Sequence, residues 1–386
     1  MAPLRVLITN RTLASRTGTE LYVRDLAVGL AARGHRPVVY SPDLGAIARE
    51  IRSATIPVTD DLRSIAEAPD VIHGHHSLET MAALLAFPDA PAIFFCHSWV
   101  GWADEPLRFP RVLRHVAVDR TCRDRLCLEH GIDPARVHLE LNSVELDRFR
   151  PRGPLPPRPR RALVFSNAAG ARVGSQLEAI REACEAESIE VEVLGANAGR
   201  EHARPEEVVR EFDLVFAKGK SALEALAAGT SVILCDAMGM GPRVTSANLA
   251  ELRGFNLGIR TLREPVTAEG VRREIAGYDA ADAMAVSREI RAQAGADSMV
   301  DRLCALYEEV VAEHRAAPAP DAREEMAAAA AYLQRLSPLM GERDVMRRVF
   351  MRLLRTPVVG RSIRALGSRS GEGHWLARLL RMEPLG

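Results

Sequence analysis

Five prolines within the ten residues Pro151 to Arg160 (PRGPLPPRPR) constrain this chain more than any other feature. Proline locks φ and has no amide hydrogen to give, so neither a helix nor a central strand runs through such a stretch. The 386 residues are thereby divided into parts long enough for separate cores. On each side the same rhythm can be read. Before the prolines, Leu4 to Thr9 (LRVLIT) is a β-branched run, Asn10 to Gly18 a loop, and the next stretch carries Tyr22, Leu26 and Leu30 at helical spacing until Arg33-Gly34 stops it. A strand at Val38 to Ser41 completes a βαβ unit, and further strands are expected at Val71 to His73, Ala92 to Phe95 and His115 to Val118. After the prolines, strands are expected at Arg161 to Phe165, Glu190 to Leu194, Leu214 to Ala217 and Val232 to Cys235, with helices from about Ser175, Ser221 and Ser246. Helical segments over 280–294 and 299–315 then close this second half, and Ala316 to Asp321 (AAPAPD) marks another break. The expected architecture is α/β: two Rossmann-like, doubly wound parallel-sheet domains at 1–150 and 161–315, a linker at 151–160, and a helical tail at 316–386.

Charge narrows the classes of function. Fifty-one basic and 51 acidic residues cancel, which argues against a nucleic-acid partner for the whole molecule. No apolar run approaches the ~20 residues that cross a bilayer, and Met1 to Asn10 reads as a first strand rather than a leader. A cytoplasmic location is expected. The cysteines, Cys96, Cys122, Cys127, Cys184, Cys235 and Cys304, show neither a CxxC pair nor ligand spacing and are expected to be reduced thiols. Of the 51 basic residues only Lys218 and Lys220 are lysines, so two compact ammonium groups stand together in a chain that otherwise uses arginine.

In open parallel sheets, ligands bind beyond the carboxyl ends of the strands. After the first strand stands Thr17-Gly18-Thr19-Glu20, where a glycine opening a helix lets backbone amides approach an anion. The full G-x-G-x-x-G fingerprint is missing, which disfavours a dinucleotide-dependent dehydrogenase. Two later strands end in histidines, His73, His75 and His76 in one loop and His97 beside Trp99 in the other. On an extended strand His73 and His75 share a face while His76 points away, and no carboxylate or cysteine completes a metal set. Hydrogen bonds to substrate hydroxyls and satisfaction within the core are the two alternatives for these imidazoles. The segment Lys218-Gly219-Lys220-Ser221-Ala222-Leu223-Glu224 is a strand exit, a glycine turn and a helix start with Ser221 as its expected N-cap. The helix amides and Lys218 or Lys220 can hold a diphosphate, and Glu224 can accept two hydroxyls of a ribose.

These motifs resemble the retaining glycosyltransferases of the GT-B fold, the large family four group. The resemblance spans about 4–315 and rests on Thr17-Gly18-Thr19-Glu20 with Arg33-Gly34-His35, Asp70 to His75, Cys96-His97, Asn142 to Pro151, and Leu223 to Ile233. It implies transfer of a sugar from a nucleotide-diphosphate sugar to a glycan or lipid-linked acceptor in surface polysaccharide or glycoconjugate synthesis, with retention and with neither metal nor cofactor. It also implies that His97 faces the transferred sugar and that Gly18 lies at the donor. Donor-side residues are then Gly18, Ser166, Asn167, Lys218, Gly219, Lys220, Ser221 and Glu224; Thr17, His73, His75 and Trp99 lie toward the acceptor. Two departures stand out. Phe216 occupies the place of the family's first acid, and Ser166-Asn167 the place of its basic clamp. They leave a catalytically degenerate scaffold subunit and a sugar-nucleotide epimerase of the same fold as alternatives.

From Glu342 onward ten arginines face four acids, a net of +6. Arg347, Arg348, Arg352 and Arg355 alternate with Val349, Phe350, Met351, Leu353 and Leu354, and Trp375 to Met382 is a second basic-apolar stretch. Such a tail suits either an anionic membrane surface at the inner leaflet or packing against a second subunit.

Overall fold

The computed structural model describes residues 3–14, 18–166, 176–195 and 204–355. The first half contains β1 (Arg5–Thr9), α1 (Gly18–Ala32), β2 (Arg36–Tyr40), α2 (Ala46–Ser53), β3 (Val58–Thr59), β4 (Val71–His75), α3 (Ser77–Ala86), β5 (Ala92–Cys96), β6 (Val112–Ala117), α4 (Arg120–Asp124) and β7 (Val137–Leu139). The second contains β8 (Arg161–Phe165), α5 (Gln176–Ala186), β9 (Glu190–Leu194), α6 (Pro205–Val209), β10 (Leu214–Ala217), α7 (Gly219–Ala227), β11 (Ser231–Asp236), β12 (Gly239–Arg243), α8 (Leu249–Gly254), α9 (Ala268–Ala276) and α10 (Ala280–Gln293). Then come α11 (Ala296–Ala316) and α12 (Ala322–Arg355).

Among the described residues the first sheet has the order β3-β2-β1-β4-β5-β6-β7 and is parallel throughout. The second runs β12-β11-β10-β8-β9, parallel except for β12, which folds back as a hairpin on β11. Strands buried on both faces, such as β5 (AIFFC) and β11 (SVILCD), read as continuous apolar runs because helices cover each side. The order reverses between β1 and β4 in the first sheet and between β8 and β10 in the second. These are the two places where the carboxyl edges open a crevice.

One expected boundary is corrected. Residues 299–315 do not close the second half: Met299, Val300, Leu303, Tyr307 and Val310 of α11 lie in the core of the first, with Val6, Ile8, Val23, Leu30 and Phe95. The contact is close because residue 29 of α1 is glycine; a Cβ there would lie 2.8 Å from Val300. Arg33 reaches Asp301 at 2.5 Å, Arg302 pairs with the buried Glu140 at 2.5 Å, and Arg114 pairs with Glu309 and Glu313. The α11 pattern is amphipathic without naming its partner, so its sequence position alone assigned it to the wrong core. The described residues up to 319 belong to one compact unit and those from 320 to 355 to another. In the latter, α12 is continuous through Pro338, and among the described residues no helix is long and apolar enough to cross a membrane.

Because Leu303 is fully buried in the first core, Leu303→Ala is expected to destabilise that half by about 2 to 5 kcal/mol. Chemical denaturation followed by tryptophan fluorescence measures it, since all three tryptophans but Trp375 lie in the first half. An unchanged midpoint would contradict the assignment of α11.

Candidate functional site

The halves meet along main-chain and polar contacts that place the two crevices together. Val144 N–H donates to Ala294 O at 2.8 Å and Ala296 N–H to Val144 O at 3.0 Å, so the exit from the first sheet is paired with the start of α11. Asn256, with φ of 52°, donates to Val118 O and accepts from Asn142 N–H at 3.0 Å. Arg291 donates to Leu146 O, Phe149 O and Ala227 O.

On the second half, Lys218 to Glu224 lies at the carboxyl edge of β10. Gly219 has φ of +60°, a turn that glycine makes without strain, and its N–H donates to Leu257 O at 2.8 Å. Helix α7 therefore starts earlier than expected: Lys218 is the N-cap residue and Ser221 sits inside the first turn without capping it. The two lysines have different surroundings. Lys218 Nζ lies 2.6 Å from the buried Asp236 at the end of β11, whereas Lys220 Nζ points across the cleft, 3.8 Å from Asp25 of α1. Glu224, one turn on, is partly accessible, and among the described residues no hydrogen bond or ion pair engages it. Burial pushes its carboxyl up to about 7, against the pull of Lys220 and Arg148. Ser166 follows β8 at the other side of this crevice; Asn167 and Thr17 lie outside the described residues.

The first half supplies groups to this cleft that the motifs did not single out. Arg148 bridges Glu145 at 3.5 Å and Glu206 of α6 at 3.0 Å. Arg24 contacts Asp25, Glu50 and Glu145. Burial and the neighbouring Asp25 raise the pKa of Glu145. The one sequence signal is the segment Asn142 to Pro151, one of the stretches that carry the family resemblance, which furnishes Glu145 and Arg148.

The histidines converge as their strand positions required. His73 and His75 are fully buried on one face of β4, while His76, with φ of 64°, turns away and accepts from Arg11 N–H at 3.2 Å. His97, partly accessible, places Nε2 2.6 Å from His75 Nδ1. His73 faces no crevice: its Nδ1 meets Tyr307 Oη at 2.5 Å and its ring stacks on Phe95. Satisfaction within the core is thus the account of His73, and because His75 is equally buried and spends its Nδ1 on His97, the expected place of both toward an acceptor is corrected. Tyr22 covers His75 and His97 edge-on. The loop after His97 is held from beneath, with Asp104 accepting His97 N–H at 3.2 Å and buried Arg125 donating to Ser98 O and Gly101 O. That leaves Trp99 48% exposed at its tip. Gly18 opens α1, the helix that carries Tyr22, and is exposed.

Residues 16–148 match the family model described as Glycosyltransferase Family 4. The crystal structure of a glycosyltransferase from Rickettsia africae superposes with a TM-score of 0.61 at 14% identity, covering 81% of this chain and 99% of that one. Anabaena HepE, solved in complex with UDP and glucose, gives 0.57 at 13% identity over 79% and 100%. A comparison with curated proteins found no match. The architecture is the GT-B fold, and the chain resembles the family four glycosyltransferases of that fold.

Burial holds His97 down to about 3 and His76 and His115 to about 4, against the ordinary 6.5. The folded chain refuses protons that the unfolded chain takes up. Stability is therefore whole above pH 6.5 and drains as pH falls toward 4, by roughly 1.4 kcal/mol per pH unit per histidine. Urea unfolding at about pH 7.5 and about pH 5 is expected to show this loss, reduced in His115→Phe; equal slopes for both proteins would contradict it.

Proposed function

We propose that this chain transfers a sugar from a nucleoside-diphosphate sugar to a glycan or lipid-linked acceptor, with retention, without metal, in surface polysaccharide or glycoconjugate synthesis. The observation that carries the proposal is Glu224: an unengaged carboxyl at the carboxyl edge of the second sheet, flanked by Lys220 and Arg148. A half-buried carboxyl with no partner among the described residues is free to accept, and a ribose diol offers it two donors. Lys220, the first amides of α7 beside Gly219 and Ser221, and Lys218 held by Asp236 provide positive potential for a diphosphate. Ser166, at the exit of β8, belongs to the same donor side; Asn167, next in the sequence, is assigned there from the family resemblance alone. HepE of the same fold, with its UDP and glucose, supports this class of ligand.

In this scheme the cleft does its chemistry by position and charge. The leaving diphosphate develops charge where the lysines and helix amides already stand, and closure of the halves excludes water. His97, with Gly18, meets the donor sugar from the first half, and Trp99 belongs to the acceptor side; Thr17 is assigned there from the family resemblance alone, and His75, fully buried, lies behind His97. Purified protein supplied with a panel of nucleotide sugars and lipid-linked or glycan acceptors tests it. Donor consumption that requires acceptor supports transfer, consumption without acceptor indicates an epimerase, and no binding or consumption of any donor overturns both in favour of a scaffold.

Glu224 also sets an expected pH dependence. Ribose hydroxyls donate more strongly to a carboxylate than to a carboxylic acid, so nucleoside-diphosphate affinity is expected to rise as pH increases through about 7. Glu224→Gln is expected to bind about 1.5 to 3 kcal/mol more weakly above that pH and to flatten the profile. Calorimetric titration across pH checks both; an unaltered profile removes Glu224 from the site.

For the tail, an anionic inner-leaflet surface is the proposed partner. Arg348 and Arg352 are exposed on α12 beside the exposed Val345, Met346 and Val349, and each arginine near such a surface adds about 1 kcal/mol. The stretch Trp375 to Met382 lies outside the described residues. Full-length protein is expected to sediment with anionic vesicles at low salt and not with neutral ones, while a chain ending at Pro320 stays in solution. If full-length protein also stays in solution, packing against a second subunit is the better account.

A further inference from the structure

His75 and His97 cannot choose their tautomers independently. Their facing nitrogens, His75 Nδ1 and His97 Nε2, are 2.6 Å apart, a separation that admits one hydrogen between two neutral imidazoles. Either His75 donates from Nδ1, or His97 donates from Nε2. The other nitrogen of His75 decides between them. Its Nε2 is fully buried and has no hydrogen-bond partner. If His97 were the donor, neutral His75 would have to carry its hydrogen on Nε2, leaving a buried N–H with nothing to receive it. If His75 is the donor, the same nitrogen keeps only an unused lone pair. A buried N–H without an acceptor is the rarer and costlier state, so the hydrogen belongs on His75 Nδ1. Neutral His97 then holds its own hydrogen on Nδ1, the ring nitrogen that His75 does not occupy.

We propose that His75 is a positioning residue that fixes His97 as the Nδ1–H tautomer, so that His97 meets the donor sugar as a hydrogen-bond donor to one of its oxygens and not as a base. The surroundings hold that arrangement in place. Asp104 accepts the main-chain N–H of His97, Tyr22 packs edge-on against both rings at 5.4 Å, and Phe95 stacks on His97 at 5.6 Å. With its backbone and ring both held, His97 does not flip to exchange its nitrogens. Both imidazoles stay neutral at working pH, because burial and the neighbouring histidines disfavour a charge on either. The same logic applies one residue pair deeper, where His73 Nε2 is also buried without a partner and Nδ1 faces Tyr307 Oη. The part played toward a sugar rests on the glycosyl-transfer proposal; the tautomer does not.

The test therefore begins without substrate. Full-length protein labelled with 15N-histidine is examined by two-bond proton–nitrogen correlation near neutral pH, with the His97 signals assigned by their loss in His97→Gln. The expected pattern is a protonated Nδ1 and a bare Nε2 on His97; a protonated Nε2 overturns the proposal whether or not the protein transfers sugar. In a second arm, His75→Asn keeps an amide N–H near the place of Nδ1 and His75→Leu removes it. His75→Leu is expected to turn the His97 signals into a tautomer mixture and to lower kcat/KM for the donor about tenfold, with His75→Asn restoring both to within about twofold. Equal loss in the two variants with the His97 tautomer unchanged makes His75 merely structural and overturns its positioning role. If His75→Leu does not fold, the wild-type spectrum and His75→Asn still decide. A correct tautomer in a protein that consumes no donor counts against transfer alone.

Discussion

The arrangement depends on a main-chain pairing at Val144, which donates to Ala294 O and accepts from Ala296 N–H. Through those two bonds the chain's exit from the first sheet and its return into α11 lie side by side. The return matters because α11 then fills the first core with Leu303, Tyr307 and Val310. The halves are thus joined by two adjacent crossings and by the Asn256 contacts, and both crevices open toward one cleft. Lys220 Nζ lying 3.8 Å from Asp25 is a direct measure of how near the two edges come.

Charge in that cleft is arranged unevenly. Lys218 is matched by Asp236, and Arg148 by Glu145 and Glu206. Among the described residues Glu224 is left without a direct partner, near acids and bases contributed by both halves. Partial removal of a carboxyl from water without a hydrogen-bond partner disfavours its charged form, and the raised pKa follows from that. Under the proposed function, a ligand with neighbouring hydroxyls would relieve the imbalance.

The histidine cluster follows a different rule. His73, His75 and His97 are packed among Tyr22, Phe95 and Tyr307, where a charge is disfavoured, so they act through where their hydrogens sit. Proton position in such a cluster is set by the few acceptors within reach. On one side of the cleft the chain keeps charges that a ligand can answer; on the other it keeps neutral donors in fixed directions.

The alternation of strand and helix, the break at Pro151 to Arg160, and the short motifs around Gly18, His97 and Glu224 were legible in the sequence because they are local. A β-branched run, a helix spacing or a glycine turn is dictated by neighbours within a few residues. The same locality put His73 and His75 on one face and placed Lys218 and Lys220 at a strand exit. Other features needed the tertiary structure. The partner of α11, the burial of His73, the pairing of Lys218 with Asp236 and not with open solvent, and the arrival of Asp25, Glu145 and Arg148 around Glu224 all join residues remote in the chain. The start of α7 at Gly219 rather than Ser221 is of this kind too, since Leu257 O takes the Gly219 amide. An amphipathic face or a charged side chain announces that it needs a partner without naming one. Which partner it meets is decided by how the two sheets are joined, and no pattern of a few residues carries that information.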